Sequence, residues 1–313
     1  MPAASENGTS AANDPLGHDS RVRRRRSALR IAALALVIAT AARGVETPAP
    51  AAAPLTLPRT EVRTLRSAAN GVEYRLYVSL PPSYAGGTKR YPLVVLLDAD
   101  YSFALARNIA QHLSDRGDLT ELILVGVAYA GPDRYRLHRT RDYTPTFVAD
   151  GGYGPEYQKV SGGAPRFRDF LADELLPLVD RSYRTLPGAR ALVGHSYGGL
   201  FASFVLFTRP ELFDRYLLVS PSLWYDRYLA LRLEREYRSR SASLPVRLYL
   251  AVGDREHNGS RNMVRDLDGF AAQIRAHRYA GLALRHQTLD DETHNSVFPR
   301  ALSNGLRFLF EGR

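Results

Sequence analysis

Gly194-His195-Ser196-Tyr197-Gly198 is the stretch of this 313-residue chain whose residue types and spacing most directly spell out a reaction centre. In a G-x-S-x-G pentapeptide a tight strand-to-helix turn lifts the serine hydroxyl above the end of a sheet, and flanking glycines let strand and helix approach. Ala191-Leu192-Val193 reads as the strand and Gly199-Leu200-Phe201-Ala202-Ser203 as the helix, so the context fits on both sides. The chemistry would be nucleophilic attack by the Ser196 hydroxyl on an acyl carbon. His195 reads as a packing residue of the turn.

A serine needs a base to take its proton and an acid to orient that base, in the chain order Ser, Asp/Glu, His for this kind of turn. His294, in Asp291-Glu292-Thr293-His294-Asn295-Ser296, falls between the last strand and the last helix and is the candidate base. His286, within a strand, and His277, near a helix end, read as structural or exposed. After Leu248-Tyr249-Leu250-Ala251-Val252 come two acids in Gly253-Asp254-Arg255-Glu256. Glu256 is preferred as the orienting acid. Asp254 remains an alternative, and Asp290, Asp291 and Glu292 also flank the histidine. A tetrahedral intermediate further needs N–H donors. Tyr197 supplies one, and Asp98-Ala99-Asp100-Tyr101 after the third strand supplies another, with Asp100 chosen over its neighbours. Asp98 and Asp100 would also serve as caps of the helix that follows.

The elements that must position these groups alternate along the chain. Strands are expected at Val72–Leu80, Tyr91–Leu97, Leu122–Ala128, Arg190–Val193, Tyr216–Val219, Val246–Val252 and Leu282–Leu289. Helical spacing marks Ser102–Ser114, the Phe167–Leu178 region, Gly198–Phe207, the Arg- and Leu-rich stretch before Val246, Val264–Ile274 and Phe298–Phe310. Such alternation without an internal repeat implies one open α/β sheet. Residues 129–164, rich in Gly, Pro, Tyr and Arg, read as one long functional loop.

Composition narrows the classes. With 45% hydrophobic and 24% charged residues the chain suits one large core and is too apolar for disorder. The absence of cysteine excludes disulfides, thiolate metal sites and a cysteine nucleophile. No metal or organic cofactor is expected, since the histidines lack zinc-site spacing. The net charge of +10 is almost wholly arginine, Lys89 and Lys159 being the two lysines. Part of it lies in Arg21–Arg26, which precedes an apolar run from Ala28 to Ala42 and an A-x-A site at Ala39-Thr40-Ala41. Those are the parts of a signal peptide, residues 1–42, with the Sec or twin-arginine route open. An uncleaved anchor is the alternative, although the run is short of the roughly 20 apolar residues a span needs. Residues 1–41 hold six arginines and three acids, so their loss leaves +7 scattered over the surface. No nucleic-acid partner is expected, and the membrane enters only through an uncleaved export signal. Residues 43–58, with four prolines among alanines, read as a linker, and 59–313 as the catalytic domain, periplasmic or secreted.

From about Thr64 onward the chain resembles the putative-esterase branch of the α/β-hydrolases, which includes trilactone-siderophore esterases and relatives of S-formylglutathione hydrolase. The resemblance rests on Tyr74-Arg75-Leu76-Tyr77-Val78-Ser79-Leu80-Pro81, Tyr91-Pro92 leading to Leu97-Asp98, and Arg141-Asp142-Tyr143-Thr144-Pro145. The Gly194–Gly199 turn, Ser220-Pro221-Ser222-Leu223-Trp224 and His294-Asn295-Ser296 complete it. It implies an α/β-hydrolase fold, a single open, mostly parallel sheet flanked by helices. It implies hydrolysis of a carboxylic ester through an acyl-enzyme, with Ser196 and His294 in the catalytic positions and a siderophore-type substrate. An aryl ester is expected from the guanidinium and aromatic faces of Arg141, Trp224 and the Tyr-rich 129–164 loop. Arg141 and Trp224 fall in segments that line the substrate cleft in similar proteins. Two departures bear on this: Ala99 stands where relatives carry glycine, and some siderophore esterases work with a serine–histidine pair alone. An acyltransferase and a non-catalytic siderophore-binding protein are the competing readings on the same scaffold.

Overall fold

Apolar runs long enough for a strand and buried on both faces form the centre of the sheet. In the computed structural model, which describes residues 52–130, 135–259 and 261–312, residues Thr56–Arg313 form one compact unit. The signal peptide and most of the linker therefore lie outside the described residues. Strands β1 (Thr60–Arg66), β2 (Glu73–Ser79), β3 (Tyr91–Leu96), β4 (Ile123–Tyr129), β5 (Thr185–His195), β6 (Arg215–Val219) and β7 (Arg247–Gly253) are followed by a short hairpin of β8 (His257–Asn258) and β9 (Arg261–Asn262), then β10 (Ala283–Leu289). Eight of them make one sheet in the order β1-β2-β4-β3-β5-β6-β7-β10. β1 and β2 run antiparallel to their neighbours, and every other pair is parallel. This is the single open, mostly parallel α/β-hydrolase sheet that the sequence implied.

Helices cover both faces, as parallel strands require. Helix α1 (Ala99–Asp115) and the C-terminal Val297–Leu309 helix bury Phe103, Phe298 and Leu302 against Val193, Leu217 and Tyr249. On the other face the aromatics Tyr74, Phe167, Phe170, Phe201, Phe207 and Phe270 belong to a second, larger core. It is built around α2 (Tyr135–Tyr143), α3 (Ala164–Asp169), α4 (Leu176–Ser182), α5 (Tyr197–Thr208), α6 (Tyr225–Arg240) and α7 (Met263–Ala276); the C-terminal helix is then α8.

Three local features depart from the sequence expectation, each for a physical reason. β1 is an edge strand with no fully buried residue, so it shows no hydrophobic alternation to detect. The expected 129–164 loop contains helix α2 and a helical turn at Pro155–Gln158; its residues 131–134 lie outside the described set. α2 escaped the hydrophobic pattern because three of the four residues it buries are Arg139, Thr140 and Asp142. Between α3 and α4, Phe170–Leu175 is a π-helical segment, where the Leu176 N–H reaches back five residues to the Leu171 carbonyl. Pro177, lacking an N–H, cannot continue the ordinary ladder there, and the wider turn absorbs the mismatch.

Candidate active site

β5 ends at His195 and α5 begins at Tyr197, so Ser196 is the single hinge residue between them. It sits at φ 59°, ψ −117°, a conformation that costs roughly 1–3 kcal/mol for a side chain with a Cβ. Two backbone bonds, one to the end of β6 and one to the loop that follows it, hold it there. The Ser196 N–H donates to the Val219 carbonyl at 2.9 Å, and the Ser222 N–H donates to the Ser196 carbonyl at 3.1 Å. Gly194 makes the turn sterically feasible, because a Cβ there would lie 2.2 Å from the Gly198 carbonyl oxygen. Tyr197, as the first residue of α5, carries one of the N–H groups that no helical carbonyl can reach.

Glu256 and His294, the expected acid and base, lie in the loops that follow β7 and β10. Glu256 is sealed, with a side-chain exposure of 1%, while His294 at 37% remains open to the cavity. Glu256 Oε2 lies 2.6 Å from His294 Nδ1. Its other oxygen accepts the Gly253 N–H at 2.7 Å and the Ser220 hydroxyl at 2.5 Å, so both oxygens are engaged and the carboxylate cannot swing. Gly253 is needed for this approach, since a Cβ would lie 2.2 Å from the Glu292 carbonyl oxygen of the loop that carries His294. Asp254 is exposed and faces that loop's backbone: its Oδ1 accepts the Glu292 N–H at 3.2 Å. Asp291 pairs with Arg255, and the Glu292 carboxylate accepts the Ser296 hydroxyl at 2.6 Å. Of the acids the sequence offered, Glu256 is the one bonded to the His294 ring.

Beneath the turn lies a buried ion pair that spacing alone did not reveal. Arg139 donates to Asp98 from Nε at 2.7 Å and from Nη2 at 3.1 Å, with both side chains nearly inaccessible. The same Nη2 donates to the His195 carbonyl at 3.0 Å, and Nη1 donates to the Tyr153 hydroxyl at 3.0 Å. Burial works against the Arg139 charge, and the Asp98 carboxylate more than offsets it, so the guanidinium is held protonated. The Tyr135 hydroxyl donates to Asp98 as well, at 2.7 Å.

These groups surround a cavity of about 500 Å³. Ser196, Tyr197, Glu256 and His294 line it together, which brings the sequence-chosen nucleophile, base, acid and first N–H donor to one place. Trp224 lines it too, with the Arg261 guanidinium 3.9 Å above its ring.

Two of the expected site residues lie away from this cavity. Arg141 is not among the cavity-lining residues; its Nε and Nη2 donate to Asp142 at 2.7 and 2.9 Å, and Asp142 also accepts the Tyr74 hydroxyl. Arg139, two positions earlier, is the residue of α2 that lines the cavity. Two positions on a helix turn a side chain by more than half a revolution, so the neighbouring arginines face different ways. Asp100 also lies off the cavity, in the first turn of α1, with its own carboxylate beside its N–H and accepting the Tyr129 N–H at 3.1 Å. Although solvent reaches more than a third of the residue, packing around the carboxyl pushes its pKa up to about 6. Asp98, the N-cap residue of α1, makes no capping bond through its side chain.

The sequence reading also missed Tyr153, Arg255, Arg261 and Met263 on the cavity wall. Arg261 and Met263 arrive on and just after the β8–β9 hairpin, whose two-residue strands carry no periodic signal.

Comparison with known proteins places the chain. The profile of the family described as "Putative esterase" matches residues 67–301. Ferri-bacillibactin esterase BesA of Bacillus subtilis is 30% identical over 268 residues, covering 81% of this chain and 90% of that protein. The siderophore enterobactin esterase of Emericella nidulans is 31% identical over 270 residues, covering 75% and 89%. Among solved structures, the BES protein of Bacillus cereus matches with a TM-score of 0.74 at 26% identity, over 83% of this chain and 98% of that one. An IroE-like serine hydrolase of Shewanella oneidensis matches with a TM-score of 0.73 at 31% identity, over 80% of each chain. On the span of the family match and on these identities, the chain belongs to the putative-esterase family of α/β-hydrolase type, a family of carboxylic-ester hydrolases.

Proposed function

We propose that this chain is a serine esterase that works through an acyl-enzyme on a siderophore-type ester whose anionic aryl groups rest in the cavity. The observation that carries the reading is the sealed Glu256 carboxylate bonded to His294, opening onto the same cavity as Ser196. In the proposed reaction Ser196 Oγ attacks the ester carbonyl carbon while His294 Nε2 takes the hydroxyl proton. The Tyr197 N–H and the N-terminal end of α5 face the oxyanion. The tetrahedral intermediate then collapses, the ester C–O bond breaks, and His294 returns the proton to the leaving alcohol. A water molecule, deprotonated by His294, attacks the acyl carbon; the bond from that carbon to Ser196 Oγ then breaks, His294 returns the proton to Oγ, and the acid is released. Glu256 holds the Nδ1 proton throughout, which keeps Nε2 free to accept.

The relatives' names, ferri-bacillibactin and enterobactin esterases, support a siderophore-type substrate. The cavity supports an anionic aryl one. Arg261 lies on the Trp224 face with no carboxylate partner among the described residues, and Tyr153 and Tyr197 add further ring surface. A guanidinium already stacked on an indole offers both charge and a flat face to an anionic ring.

Hydrolysis of a ferric catecholate trilactone and of matched anionic aryl and neutral alkyl esters tests the reading. Arg261→Gln is expected to lower kcat/KM for the anionic aryl ester about 10-fold, mainly through KM, and to leave the alkyl ester within about twofold. A fluorophosphonate is expected to label Ser196, and Ser196→Ala to abolish both labelling and turnover. Turnover that survives Ser196→Ala would overturn the mechanism, and an unchanged aryl-to-alkyl ratio in Arg261→Gln would overturn the substrate class.

We also propose that residues 1–42 direct export and are removed. N-terminal sequencing of protein recovered from the cell envelope is expected to begin near Ala42. A soluble cytoplasmic form retaining residues 1–41 would count against export.

A further inference from the structure

The hydrogen bond between Glu256 and His294 fixes one point of the imidazole and leaves the ring free to pivot about the Nδ1–Oε2 line. One side of His294 is open to the cavity. Against the ring packs the imidazole of His195, with centroids 4.6 Å apart and planes inclined by 35°, at the close end of the range of aromatic contact. His195 is itself held from several elements. Phe298 of α8 lies 5.7 Å from its ring, the Tyr101 hydroxyl of α1 stands 3.5 Å from its Nδ1, and Arg139 of α2 holds its carbonyl.

We propose that the His195 ring is a shelf that sets the plane of the His294 imidazole and its separation from Ser196, making His195 a positioning residue for the base. The inference rests on the serine-hydrolase reading above. Its physical content is covalent: His195 and Ser196 are consecutive, with Cα atoms about 3.8 Å apart, so the surface on which the base rests is tied directly to the nucleophile. The spacing of the two groups then does not depend on the 290–296 loop alone.

A shelf for a base that becomes an imidazolium must not carry a charge of its own. The charged and titratable groups facing His195 are His294, the Arg139 guanidinium with its partner Asp98, and the Tyr101 phenol. Burial first, then the nearness of His294 and Arg139, holds the His195 pKa well below the usual histidine range. The ring therefore stays uncharged while His294 takes its proton.

The test compares His195→Phe, which keeps a flat ring, with His195→Ala in the full chain, using an aryl ester from about pH 5 to 9. His195→Ala is expected to lower kcat about 100-fold with KM within about twofold, because a displaced base loses rate without losing binding. His195→Phe is expected to stay within about fivefold of the parent and to keep the midpoint and one-proton slope of the acid limb. If His195→Ala does not fold, His195→Met takes its place, since it fills similar volume without a plane and should fall with alanine. Parental kcat in the alanine or methionine variant would overturn the shelf. So would a phenylalanine variant as slow as alanine, or a two-proton acid limb that phenylalanine reduces to one. Ser196→Ala tests the serine mechanism separately, so failure of one claim is not read as failure of the other.

Discussion

Glu256→Gln is expected to lower kcat by about 10³- to 10⁴-fold with KM little changed, whereas Asp254→Asn stays within about twofold. The carboxylate has two tasks, and the amide can perform only one of them well. A glutamine that keeps its oxygen on the Gly253 N–H and the Ser220 hydroxyl must turn its NH₂ toward His294 Nδ1. The imidazole would then carry its proton on Nε2 and could not accept one from Ser196. Asp254 touches only the backbone of the base loop, so its amide can serve nearly as well. Steady-state kinetics on both variants measures the contrast. The reverse ranking would move the acid to Asp254, and full activity in both would mean a serine–histidine pair.

Arg139→Met should be the most damaging single change to folding, with a loss of about 3–5 kcal/mol in urea denaturation, because it strands Asp98 as a buried unpaired carboxylate. It should also reduce kcat about 100-fold in the protein that remains folded, since the His195 carbonyl loses its donor directly beneath the nucleophile. Arg141→Ala provides the contrast. It also removes a partner from a buried acid, Asp142, but the Arg141 side chain is 25% exposed against 4% for Arg139, so water can reach the vacated place and stability should fall by less. Its kcat and KM should stay close to the parent values because the Arg141 side chain does not line the cavity. A raised KM in Arg141→Ala would restore that residue to the substrate cleft.

What could be read from the sequence follows from which interactions are local. The Gly194–Gly199 turn is a contiguous device, so its residues announced it, and the strands around it were long apolar runs. His294 could be found because the order of strands and helices put it after the last strand. Glu256 was only a preference over Asp254, since the deciding contacts come from Ser220 and His294, 36 and 38 residues away. Arg139 was passed over for Arg141 because no pattern in a polar helix tells which arginine meets an aspartate 41 residues upstream. Asp100 was expected in a loop, because a segment read from sequence carries no backbone angles, and the structure has it in the first turn of α1. Asp98 adopts φ 56°, ψ 36°, and α1 begins immediately after it.

The order in which the sheet is closed has a consequence for how the chain comes to life. Among the described residues β10 lies at one edge and pairs only with β7, and His294, the proposed base, follows it, with α8 as the last helix. A chain still missing its last 30 or so residues has the Ser196 turn and Glu256 in sequence but lacks His294, the proposed base. During synthesis or refolding, catalytic power should therefore be the last property to appear, after the central strands have paired. Turnover then serves as a check that the whole chain has docked, and an incomplete copy stays chemically silent.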